Sequence, residues 1–185
     1  MSSSIWLAFD QRLKMYVAVK AITGYENILV NRGERTFEFY ALQAVTVTKP
    51  RSPHVLQIYA AFSMEGQGMD GNHIGFVTQL HGGNVDRLVK HHRPLPLPLR
   101  KRIVLHILRG IAHTHKHGYI HTDLKLDNIF FTTDMSTEDI TSLLISDPSR
   151  RHDPEDSPSG IVQPAVSQPL PLPSLQDAMN SIPAR

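Results

Sequence analysis

The chain has 185 residues, 41% hydrophobic, 19% charged and 7% aromatic, which excludes a wholly disordered or collagen-like polymer and makes a single domain the expectation. Nineteen Lys and Arg against seventeen Asp and Glu leave +2, too balanced for charge to argue for direct contact with nucleic acid, and none is expected. No cysteine is present, which excludes disulfides and thiolate chemistry; neither a secretory leader nor a run of roughly 18 apolar residues is visible, so a soluble intracellular protein without membrane contact is expected.

Ile5–Phe9 and Met15–Lys20 are short, β-branched and aromatic, and the polar link Asp10–Lys14 between them predicts an antiparallel hairpin. Within 34–45, Glu38, Leu42 and Val45 fall on one helical face. Val55–Phe62 and His73–Leu80 are again strand-like, separated by the glycine-rich turn Glu65–Gly71. Asn84–His92 reads as a short helix capped by Asn84. After the segment Pro94–Pro98 comes the longest periodic stretch, with Ile103, Val104, Ile107, Leu108, Ile111 and Ala112 expected on one face and Gly118 as the stop. The class is therefore α+β: a small antiparallel sheet lobe over about 1–80, then the first helices of a helical lobe over about 83–131. All thirteen aromatics lie before residue 132. Residues 132–185 hold most of the prolines, including the run Gln168–Pro173, and are expected to form a proline-rich, largely disordered tail. Such a run is first a linker and second a ligand for an aromatic groove.

One string carries chemistry. Tyr119–Phe131 fits H-x-D-L-x-x-x-x-N, with Asp123 and Asn128 five apart. An acid must orient the attacking hydroxyl, an amide oxygen must hold a magnesium ion on the phosphates, and a lysine between them must offset charge on the transferred group. Asp123, Asn128 and Lys125 have those chemistries. Upstream, Val17–Lys20 matches V-A-I-K, placing Lys20 to reach nucleotide phosphates, and Glu38 lies on the following helix where it can pair with Lys20. The recurrence of His113, His117 and His121 invites a metal site, but Gly118 interrupts the helix before the third. Structural roles are expected for all three. His91, His92 and Arg93 are expected as a solvated helix end.

On these residues the chain resembles a eukaryotic protein kinase, and more narrowly the serine/arginine-rich (SR) protein kinases. His121-Thr122-Asp123 stands where most kinases have H-R-D, Ser4–Asp10 is similar to that family's S-T-V-W-L-A-x-D, and Leu95–Pro98 is similar to its approach to the long helix. The resemblance covers about 2–131 and implies a protein-kinase-like fold, ATP and Mg2+ as cofactors, and Ser/Thr specificity. It implies that Ile5 and Ala18 roof the adenine pocket, that Thr78 closes its back, and that Gln79, Leu80 and His81 form the hinge. It also implies serines of Arg/Ser-rich splicing factors as substrates, residence in cytoplasm and nucleus, and a variable spacer for the tail.

Departures accompany the matches. No G-x-G-x-x-G precedes Ser2, and no Asp-Phe-Gly or A-P-E follows; Asp147-Pro-Ser is the nearest triplet, and Pro148 argues against it. The expectation is a catalytic domain that stops within the spacer and lacks measurable activity as this fragment. The alternative is a non-catalytic kinase-derived fragment that binds a partner through its proline-rich tail.

Overall fold

In a computed structural model, the described residues are 3–22, 38–47, 49–66, 72–157 and 160–180. The first hairpin forms as the alternation predicts. Strand β1 (Ser3–Asp10) and strand β2 (Met15–Ile22) pair antiparallel, and Asp10 Oδ1 accepts the backbone N–H groups of Arg12 and Leu13 to close the turn. Helix α1 (Glu38–Val47) follows and buries Val45 and Thr46. Strands β3 (Ile58–Glu65) and β4 (Asn72–Thr78) complete a four-stranded sheet in the order β1-β2-β4-β3. Strand β3 starts later than its apolar run suggests. The Gln57 side chain donates to the carbonyls of Ser52 and Val55, both at 2.8 Å, and holds the preceding residues in a turn.

Strand β5 (His81–Asn84) leads directly into helix α2 (Val85–His91). Asn84 is the N-cap expected of it: its side chain accepts the Arg87 N–H at 2.9 Å. Helix α3 (Leu97–Lys116) ends before Gly118, whose φ of +80° is a conformation that glycine adopts without a Cβ penalty. One 3-10 turn (Leu126–Asn128) and strand β6 (Phe130–Thr132) follow, and β6 pairs with β5. The apolar face of α3 is narrower than expected. Leu99 and Ile103 are buried, whereas Val104, Leu105 and Leu108 are exposed.

The stretch after residue 131, expected to be a largely disordered tail, carries short regular elements among its described residues. Helix α4 (Thr137–Ser146) opens with a reciprocal capping box between Ser136 and Asp139. It buries Ile140, and Thr141 shares a hydrogen bond of 3.2 Å with the Tyr16 hydroxyl on β2. Strands β7 (Glu155–Ser157) and β8 (Gly160–Val162) form a small hairpin. Helix α5 (Leu175–Asn180) then closes on the main core, which joins Val85, Leu88, Leu95, Leu99, Ile103 and Phe131 to Ala178, with Leu172, Leu175 and Met179 packed against it. Proline content hid this because the stabilising contacts are non-local: each proline lowers the entropy lost on ordering, and the leucines between them find apolar surface made by α2 and α3. No helix among the described residues is long and apolar enough to cross a membrane.

Candidate functional site

The sheet register decides which of the expected site residues meet. Opposed residues in antiparallel strands share a face, and residues two apart share it along each strand. Ile5 pairs with Lys20, and Lys20 pairs in turn with Phe76; Leu7 pairs with Ala18, and Ala18 with Thr78. Ile5, Ala18, Lys20 and Thr78 therefore stand together on one face of the sheet. Ile5 is largely exposed there, and the Thr78 hydroxyl is buried, donating to the Gln79 carbonyl at 3.3 Å and lying 3.5 Å from that of Ala18. Glu38 is the first residue of α1, at the helix end nearer Lys20 in sequence. Its side chain lies outside the described residues, so the expected pairing with Lys20 does as well.

Gln79, Leu80 and His81 join the sheet to α2 through β5. The Gln79 N–H donates to the Gln57 carbonyl at 3.1 Å, which ties this connection to the turn before β3. Gln79 and Leu80 line a cavity of about 170 Å3 with Met15, Tyr16, Tyr59 and Ile140. His81 is half-buried, and burial pushes its imidazole below the ordinary range, opposed by a hydrogen bond with the Phe131 backbone. Among the described residues, its buried Nδ1 finds no hydrogen-bond partner.

The loop after α3 gathers the three polar residues of the motif into one knot. Lys125 Nζ lies 3.0 Å from Asp123 Oδ2. Asn128 Nδ2 donates both to the Asp123 carbonyl, at 2.8 Å, and to its Oδ2, at 2.9 Å. The Asp123 N–H donates to His121 Nδ1 at 3.3 Å. The hydrogen bond from Lys125, then the one from Asn128, hold the Asp123 carboxyl below the usual carboxylate range. Asp123 is thus an exposed, ionised acceptor at neutral pH, able to orient a hydroxyl and a weak base toward its proton. Asn128 spends its amide N–H groups on Asp123, so its remaining polar atom is a hard oxygen, the donor type that Mg2+ takes.

Neither Lys20 nor Asp123 lines the cavity beside Gln79 and Leu80 or the larger one, which lies beside α2. What connects the sheet to the loop is β5. Asn84, at the end of β5, donates through Nδ2 to the Asp127 carbonyl at 3.2 Å, and the Val85 N–H donates to the Ile129 carbonyl at 2.9 Å. Two side chains thus take parts that the motif spacing does not give them. Asn84 braces the loop as well as capping α2. Phe130, half-exposed, presents an aromatic surface whose ring centroid lies 6.1 Å from that of His81. Their signals were present in the sequence: Phe130 stands two residues after Asn128, and an Asn cap has a spare amide to donate.

Asp147 is the C-cap of α4, its N–H donating to the Leu143 carbonyl at 2.8 Å. A residue spent on ending a helix adds to the argument that Pro148 makes against the Asp147-Pro-Ser triplet. The histidine series also has structural employment. His113 Nε2–H donates to the Val45 carbonyl at 2.8 Å, joining α3 to α1, and His117 Nδ1–H donates to the His113 carbonyl at 2.8 Å.

The profile of the protein kinase domain matches residues 1–147. The chain is 32% identical over 136 residues to serine/threonine-protein kinase SKY1 of Saccharomyces cerevisiae, covering 69% of this chain and 18% of that protein. It is 33% identical over 132 residues to serine/threonine-protein kinase SRPK of Physarum polycephalum, covering 69% of this chain and 30% of that protein. Against SRSF protein kinase 3 of Homo sapiens the identity is 29% over 136 residues, 69% of this chain and 23% of the relative. The chain therefore matches less than a third of the length of each of these relatives.

Proposed function

The chain belongs to the protein kinase family, and from that premise we propose that it serves phosphoryl transfer from ATP to serine in Arg/Ser-rich proteins. The observation that carries this reading is the knot of Asp123, Lys125 and Asn128, held in one loop and braced by Asn84 from the hinge strand. Asp123, kept ionised, accepts the hydrogen bond of the substrate hydroxyl and orients its oxygen for attack. Lys125 offsets charge that builds on the transferred group. Lys20 contacts the phosphates from the sheet face that it shares with Ala18 and Ile5, while Gln79, Leu80 and His81 supply the adenine-reading edge and Phe130 an apolar surface beneath it. Magnesium, when bound, neutralises charge on the triphosphate, and Asn128 would hold it through its side-chain oxygen. Cytoplasm and nucleus are the compartments that this reading assigns.

The 185 residues contain no Asp-Phe-Gly triplet. Assayed by itself, the chain is expected to phosphorylate an Arg/Ser-repeat peptide no faster than its Asp123→Asn variant does. The test of the nucleotide site is therefore binding. Calorimetry should show Mg2+-dependent ATP binding that weakens about 10- to 100-fold in Lys20→Met, the worth of a charge-assisted bond of about 1.5–3 kcal/mol. Affinity unchanged by that substitution overturns the assignment. The alternative, a free proline-rich ligand for a partner, loses ground because Leu172 packs on the core.

A further inference from the structure

The larger cavity, about 690 Å3, lies between the end of α2 and the chain that leads into α5. It is lined by Arg87, His91 and His92 on one side and by Leu172, Pro173, Ser174 and Leu175 on the other. One wall is thus basic and the other is apolar except for a single hydroxyl. We propose that this cavity is a phosphate-recognition site and that Ser174, when phosphorylated, supplies the phosphate.

Several observations converge. Ser174 is exposed, so a modifying enzyme can reach it. The backbone around it does not wander, because Leu172, Leu175 and Ala178 are anchored in the main core and Arg87 Nη1 donates to the Leu170 carbonyl at 3.3 Å. That bond uses one of five guanidinium donors, so Arg87 keeps others for a second acceptor. The planar guanidinium of Arg87 suits the geometry of a phosphate edge, and the imidazoles of His91 and His92 add donors.

The unmodified hydroxyl of Ser174 donates to Asp177 Oδ2 at 2.6 Å, and its oxygen accepts the Asp177 N–H at 3.0 Å. Phosphorylation reverses this preference. Ser174 Oγ attacks the γ-phosphorus of a nucleoside triphosphate held by a protein kinase. The new O–P bond forms as the bond to the bridging oxygen breaks, the nucleoside diphosphate leaves, and the hydroxyl proton passes to a base. The ester carries about −1.5 to −2 charge, which Asp177 repels and Arg87, His91 and His92 attract. The phosphate turns away from α5 and into the cavity, fastening the proline-rich strap to the end of α2.

The test uses the full chain with phosphoserine installed at position 174 by genetic-code expansion. Tm should rise by about 2–4 °C, as expected for one kcal/mol-scale contact in a chain of this size. The rise should vanish in the His91→Ala/His92→Ala variant, whose altered residues are exposed and outside the core. A second measurement reads the site without modification: millimolar inorganic phosphate should shift the His91 and His92 imidazole resonances, in Ser174→Ala as in the parent chain. A phosphoserine chain with unchanged or lowered Tm overturns the Ser174 assignment, even where free phosphate shifts those resonances. Silence of both imidazoles toward phosphate overturns the site itself.

Discussion

The core around α2 and α3 and the loop carrying Asp123 are neighbours built on opposite principles. In the core, Leu88, Leu99 and Ala178 are wholly shielded from water, and three helices supply them, α5 far along the chain from the other two. In the loop, Ile120, Leu124 and Leu126 stand in solvent, and shape comes from hydrogen bonds among Asp123, Lys125, Asn128 and His121. Packing therefore sets the stability of this molecule, and short polar contacts set the geometry of its site. The difference teaches that the two can be perturbed separately.

The heaviest blow to the contrast falls on the packed side. Leu99→Ala removes a fully buried side chain and should cost about 2–5 kcal/mol, depending on how far the surroundings collapse. Urea unfolding followed by circular dichroism measures this, and a loss under 1 kcal/mol would show that the core is not the dominant support.

A smaller effect, with a sign set by titration, comes from where α3 meets the turn before β3. His54 and His106 approach with their Nδ1 atoms 3.0 Å apart and their rings nearly perpendicular. One Nδ1–H can donate only if the other ring is unprotonated. Burial, then His54, Arg109 and Arg102, push His106 down to about 4; burial and Arg109 lower His54. The unfolded imidazole titrates near about 6.5. Below that pH the unfolded chain takes up protons that the folded chain refuses, so stability falls as pH drops from about 6.5 and this contribution is gone below about 4. Tm should decline across that window, and less steeply in His106→Asn; parallel declines in both chains would assign the loss to other groups.

The least effect on folding belongs to the loop. Asp123→Asn removes an exposed carboxylate and should leave Tm unchanged while dissolving the contact with Lys125. A clear fall in Tm would mean that the loop also supports the fold, and the separation would fail.

The legible parts of the sequence were those governed by neighbours. The β1–β2 hairpin follows from alternation and one acidic turn residue, α2 from its Asn cap, and the end of α3 from a glycine. Asp123, Lys125 and Asn128 were legible as a spacing, and the structure supplies the bonds among them. The start of β3 was misread because the side chain of Gln57, rather than hydropathy, sets it. The contacts of the chain from Leu170 onward were not legible, because its partners lie far away, on β5, α2 and α3. Nothing in a run of prolines and leucines says which surface it will meet.

That meeting leaves a constraint at Gly83, in β5. A Cβ built there would come within 2.2 Å of Leu172 Cδ2. Strand β5 and the late segment behind it are thus fitted like a key and its ward. Any ligand that twists one must displace the other, and a fluorescent reporter attached near Leu172 would register occupancy from the rear of the lobe.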